Sequence, residues 1–515
     1  MNFAFPGSLN RQNGAALLVL VFFVVLAATS VLLSRLNTAT KGPVQNNAQN
    51  ARVLLEAKAA LLGYAISNPG EFGFLPCPDK GTAANEGQGA LTCDGANENS
   101  IGRFPWRSLE LAALKDGDDE CLWYAVSGSY KSGTTKPNML NDDSLGMFRI
   151  VREDGTTPLI GATPDSRPVA VIFAPGLALD GQTRTPAGGG VDQCGGNYVA
   201  DDYLDSLAGV DNADLSTNDY IVDDFISSAT VRDATSGEVL FNDQFVYITH
   251  GEIWDALTTS AKTSAGFTSK MTELTVRVAR CLVEYARYPQ STAPVCGFDP
   301  NTANCTLPWP APLVLPAGVN NDYRVDNAYD DMASTDNLLS GRVPDVVDDS
   351  QTDISDADRP SNLITTCSEF TSSPEYLALW QNWKDHLFYA VADNFRAMPR
   401  SGVQALGLCG SGERCITLNS SWPGDDYAAI IWFAGTATTG QSHELDPVAP
   451  PHGTTDDRQL VTNYMEGANN QADYVNTAGD DNKRYDTGVV GTNDIMTCMD
   501  DNDTTSSLFV ISTCP

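Results

Sequence analysis

Five sequence blocks occur twice in this chain in the same order, and that repetition restricts the fold more than any other feature. LPCPD at 75–79 answers LPWPA at 307–311, and GRFPW at 102–106 answers GRVPD at 341–345. Leu122-Trp123-Tyr124-Ala125-Val126 answers Leu387-Phe388-Tyr389-Ala390-Val391, VAVIFAPG at 169–176 answers AAIIWFAG at 428–435, and Asn197-Tyr198 answers Asn463-Tyr464. Order is kept while spacing drifts, as happens when loops absorb insertions. A helical pattern precedes each set: Leu54, Ala57, Leu61 and Ala65 share one face, and Leu274, Val278, Cys281, Leu282 and Tyr285 share another. Each lobe therefore reads as a helix, a Pro-rich loop, a short helical LWYAV-type segment and a buried strand such as VAVIFA or AAIIWFA, with a further strand at 244–248. The expectation is an α+β fold with two lobes, 52–255 and 265–515, related by internal duplication.

The chain of 515 residues is long enough for two ordinary cores. Its 65 acidic against 31 basic residues give a formal charge of −34, which repels phosphate backbones and excludes nucleic acid as a partner. Twelve cysteines, an even number, read as up to six disulfides formed in an oxidising compartment. Cys77 with Cys93, Cys296 with Cys305, Cys409 with Cys415, and Cys498 with Cys514 are the candidate local staples, although spacing does not fix connectivity. No CxxC pair occurs, and the four histidines (His250, His386, His443 and His452) are not close to cysteine pairs, so a cysteine-based zinc site is not expected.

The N-terminus addresses the chain. Residues 15–33 form an apolar run interrupted only by Thr29 and Ser30, with Arg11 before it and no acidic residue among the first fifty. A helix over 15–34 is long enough to cross a bilayer with the first dozen residues inside. Gly42-Pro43 should bend or interrupt its outward continuation over 35–66. Arg11-Gln12-Asn13-Gly14, directly before Ala15-Ala16-Leu17-Leu18-Val19, resembles the prepilin leader of type IV pilins and type II secretion pseudopilins. That resemblance implies a 1–14 leader cut between Gly14 and Ala15 by a prepilin peptidase, with Leu17, Leu18 and Val19 in the assembly helix. It also implies other pilin or pseudopilin subunits and the inner membrane as partners, with the bulk of the chain periplasmic, extracellular or in a surface filament. Most pilins carry glutamate where Val19 stands; its loss resembles minor or tip subunits, which need no partner above them. A plain anchor or uncleaved signal is the other reading of the same run.

No catalytic constellation emerges. GxSxG, SxxK and HExxH are absent. Ser127-Gly128-Ser129-Tyr130 reads as the end of the LWYAV segment, His443-Glu444 and His452 as an exposed loop, and Gly188-Gly189-Gly190 as a flexible loop with no phosphate-binding pattern. The tightest acidic cluster, Asp116, Asp118, Asp119 and Glu120, is the candidate for Ca²⁺, although its spacing is not that of an EF-hand. The expected function is a non-enzymatic pilin-like assembly or adhesion component. An exported anchored hydrolase and a stand-alone two-lobed binding protein are the alternatives.

Overall fold

The computed structural model describes residues 43–67, 71–82, 85–186, 193–259 and 266–286. Beyond these it describes 307–313, 329–330, 339–347, 362–392, 395, 415–418, 426–435, 441, 459–465, 484–485, 494–500 and 509–514. The first described helix, α1, spans Pro43–Ser67. Of the Gly42-Pro43 pair, Gly42 lies outside the described residues. Val53, Leu54, Ala57, Leu61 and Ala65 form its buried face.

That face lies on an antiparallel sheet in the spatial order β1 (Ser100–Arg103), β2 (Trp123–Val126), β5 (Pro168–Ala174), β7 (Gln244–Thr249). Between them in the chain, β3 (Phe148–Val151) pairs with β4 (Pro158–Ile160) and β6 (Asp223–Ile226) in a three-stranded sheet. Alternation along a strand sends successive side chains to opposite faces. Accordingly Tyr124, Val126, Ala170 and Ile172 join the core under α1, while Trp123, Ala125, Val171 and Phe173 pack on Phe148 and Phe225 from the second sheet. Both faces of β2 and β5 are covered, which is why neither strand carries a polar residue. Two helices follow, α2 (His250–Thr259) and α3 (Phe267–Ala286).

The second lobe reuses this framework. α3 packs on β11 (Asp426–Phe433), β13 (Ile495–Asp500) and β14 (Val510–Thr513), and the sheet runs β8 (Ser340–Arg342), β9 (Leu387–Val391), β11, β13, β14. β10 (Ile416–Leu418) adds to β11, and the short strand β12 (Arg484–Tyr485) adds to β10. Between β8 and β9 stand α4 (Ser368–Thr371) and α5 (Pro374–Trp383). Three sets of backbone bonds recur in both lobes. Leu75 N donates to Tyr130 O and Leu307 N to Phe395 O, at 2.8 and 2.7 Å. Asp79 and Arg103 exchange two backbone bonds, as do Ala311 and Arg342. Ser127 N reaches Val169 O and Ala392 N reaches Ala428 O, each at 2.9 Å. Gly102 and Gly341 occupy equivalent positions because the Pro-rich segment crosses directly over them; a Cβ would lie 2.8 Å from Asp79 O and 2.1 Å from Ala311 O.

Three sequence expectations need correction. LWYAV and LFYAV are strands: an apolar run of four or five residues carries no usable periodicity, and pairing on both edges decides the matter. Ser127 to Tyr130 therefore ends a strand. The partner of Tyr464 is Tyr203 rather than Tyr198, since Tyr203 and Tyr464 each close a 3-10 turn, Ala200–Asp202 and Val461–Asn463 respectively. Their side chains also stack on equivalent arginines, Arg103 at 5.1 Å and Arg342 at 5.1 Å. Finally, the expected fold class opened with a transmembrane helix, and no helix among the described residues is long and apolar enough to cross a membrane. The fold described is α+β with several sheets and disulfides. The leader at 1–14 and the run at 15–34, including Gly14, Ala15, Leu17, Leu18 and Val19, lie outside the described residues.

Disulfides join Cys77 to Cys93, Cys121 to Cys194, Cys281 to Cys367, and Cys498 to Cys514. Two of these are local staples and two span long segments that spacing could not reveal. Cys415 is also disulfide-bonded, while Cys296, Cys305 and Cys409 lie outside the described residues.

Candidate functional site

The strongest convergence of reactive side chains is Asp142, Asp143 and His386, all buried, where the two lobes meet. The loop between β2 and β3 supplies the acids. Asn141 shapes it: its Oδ1 accepts the Asp143 N–H at 3.0 Å, and its carbonyl accepts the Ser144 N–H at 3.0 Å, an Asx turn that aims consecutive carboxylates inward. The histidine comes from the other lobe, at the end of the 3-10 turn Lys384–His386 that leads from α5 into β9. Leu140 N donates to Asn382 Oδ1, and Asn141 Nδ2 donates to the Asn382 carbonyl and to Asp385 Oδ1. This polar seam holds the loop against the end of α5.

His386 Nδ1 donates to the Ala434 carbonyl at 3.0 Å, so Nε2 is the atom presented to the acids. It stands 3.1 Å from Asp142 Oδ1 and 3.4 Å from Asp143 Oδ2. Tyr464 Oη donates to Asp143 Oδ2 at 3.3 Å, and His250 Nε2 donates to the Asp142 carbonyl. Burial pulls the His386 pKa down, but the carboxylates of Asp143, Asp142 and Asp385 override it and hold the imidazole well above its ordinary value. Around it lies an aromatic cluster: Trp383 touches Trp254, Phe267, Phe433 and His386 at centroid distances of 5.3, 5.0, 5.4 and 5.0 Å.

The acids singled out from the sequence lie elsewhere, in the turn before Cys121. Asp116 is buried; its Oδ1 accepts the N–H groups of Asp118 and Glu120, and its Oδ2 accepts that of Gly176. Asp118 accepts from Asn46, Asp119 pairs with Lys115, and Glu120 pairs with Arg184. These four residues organise a turn and its surroundings, and their ligand atoms do not converge on a common point. The buried trio escaped sequence reasoning because His386 lies far along the chain from the adjacent Asp142 and Asp143, and on the other lobe. One signal was available: His386 stands directly before LFYAV where Cys121 stands before LWYAV, so a disulfide cysteine in one lobe is replaced by histidine in the other.

A second buried acidic pair carries a pH signature. Asp243 and Asp205 exchange bonds: Asp205 N and Asn212 Nδ2 donate to Asp243 Oδ2, while Asn242 N and Asp243 N donate to Asp205 Oδ2. Burial first, and the Asp205 carboxylate second, push Asp243 well above 3.8. A raised folded pKa favours the protonated form, so this stabilisation is complete below 3.8 and is lost as pH rises through the folded value. Asp243→Asn keeps an acceptor and removes the charge. It is expected to raise Tm by a few degrees at about pH 7 and to have no stabilising effect at about pH 3; calorimetry at both values checks this.

Arg103 is another buried cation. It donates to Gly195 O, Asn197 O and Tyr203 Oη and stacks on Trp123, which makes it a pillar of the first lobe's core. No family model, curated protein or solved structure matches this chain.

Proposed function

We propose that the chain is a non-enzymatic, pilin-like minor subunit, delivered and assembled through its N-terminal segment, with its two acidic lobes in an oxidising compartment outside the cytoplasm. The observation that carries this reading is the junction Asn13-Gly14-Ala15-Ala16, a hydrophilic leader ending in glycine directly before an apolar run. Two structural features support it. Every cysteine among the described residues is disulfide-bonded, which fits an exported protein. The first lobe also lays a helix of 25 residues, beginning at Pro43, across an antiparallel sheet, the arrangement expected of an enlarged pilin head. Val19 in place of glutamate fits a subunit placed at an end of a filament.

Mass spectrometry of the mature N-terminus tests the reading. Processing at Ala15 in cells that contain a prepilin peptidase, lost in cells without it and in Gly14→Leu, is the expected result. A mature chain beginning at Met1, or after Ala28, removes the main support. Crosslinking to pilin subunits then separates assembly from simple tethering.

A further inference from the structure

We propose that Asp142, Asp143 and His386 bind one divalent transition-metal ion of the zinc class, which ties the two lobes together. Four observations converge on it. In a tetrahedral site with metal–ligand bonds of roughly 2.0–2.2 Å, donor atoms stand about 3.3–3.6 Å apart. His386 Nε2 lies 3.1 and 3.4 Å from one oxygen of each acid, and all three donor atoms lie within 4.8 Å of one another. The cage is thus already close to the size of the ion.

The histidine is also prepared in the way metal-bound imidazoles usually are. Its Nδ1–H is held by the Ala434 carbonyl, which fixes the ring and directs Nε2 at the acids. Tyr464 Oη donates to Asp143 Oδ2, and Asn141 Oδ1 accepts the Asp143 N–H, so the Asp143–His386 contact is backed by an outer layer. Two carboxylates and a neutral imidazole balance a divalent cation, and the mixed nitrogen and oxygen donors suit Zn²⁺ or Mn²⁺ better than Ca²⁺, which prefers six or more oxygens. The donors come from both lobes, so the ion would enter as the lobes close and would exchange slowly afterwards. This site is independent of the N-terminal processing proposed above.

The test uses the full chain with its disulfides intact. Unfolded in guanidinium with a chelator, freed of metal and refolded with Zn²⁺, Mn²⁺, Ca²⁺ or no ion, it is examined by elemental mass spectrometry and thermal unfolding. One equivalent of Zn²⁺ or Mn²⁺ per chain and a raised Tm, with no response to Ca²⁺, are expected. Cobalt substitution should give the visible d–d bands of a tetrahedral site, and these should disappear in Asp142→Asn and His386→Asn. Tyr464→Phe keeps all three donors and should weaken binding about tenfold, which guards against variants that fail to fold. Wild-type protein that refolds without retaining metal, and whose Tm ignores all three ions, would overturn the proposal and leave an imidazolium–carboxylate clasp. Retention of one equivalent by folded His386→Asn would overturn it equally.

Discussion

Trp383→Ala is expected to lose about 3–5 kcal/mol of stability and to split a shared unfolding transition in two. Trp383 is fully buried at the end of α5, and its ring meets Trp254 from α2, Phe267 from α3 and Phe433 from β11. Truncation removes a large apolar surface and leaves a cavity whose walls belong to different elements and cannot all move inward together. The same cluster carries packing between the lobes. The first lobe, with its own helix and sheets, should then outlast the second in denaturant. Near-UV dichroism followed beside far-UV dichroism checks this: one coincident transition displaced by less than about 1 kcal/mol would mean that the cavity collapses and the lobes are joined elsewhere.

The next largest effect belongs to the disulfide between Cys281 and Cys367. It closes a separation of 86 residues, pinning the inner face of α3 to the start of α4. Loop-closure entropy assigns such a cross-link about 4.6 kcal/mol, against about 3 kcal/mol for a separation of 16. The latter is the separation in both Cys77 to Cys93 and Cys498 to Cys514. Paired alanine substitutions at 281 and 367 should therefore lower the denaturation midpoint more than those at 77 and 93. Equal losses would show that local packing around each bridge, not restriction of the unfolded chain, sets its worth.

Helical faces were the most legible part of the chain. Leu54, Ala57, Leu61 and Ala65 repeat at the helical period, and these residues are buried in α1. The repeated blocks were legible as well, since backbone constraints such as Gly102 beside Asp79 and Gly341 beside Ala311 preserve residues that can be seen in one dimension. Short all-apolar strands were not. Trp123 and Tyr124 face opposite cores, and a run buried on both sides looks the same whether it is strand or helix. The site was least legible: Asn141 and Asn382 meet only after two lobes have docked, and nothing local in either stretch reports the other.

The order of strands in the second sheet also sets a timetable. The first lobe has its four main strands and two disulfides in hand once residue 249 has emerged from a ribosome or export channel. β11, DYAAIIWF, lacks its neighbour β13 until residue 500 appears, and β13 lacks its clamp until Cys514 appears. For that interval a long apolar strand edge stands open beside a finished neighbour, and a holding chaperone would have to cover it to prevent misassembly.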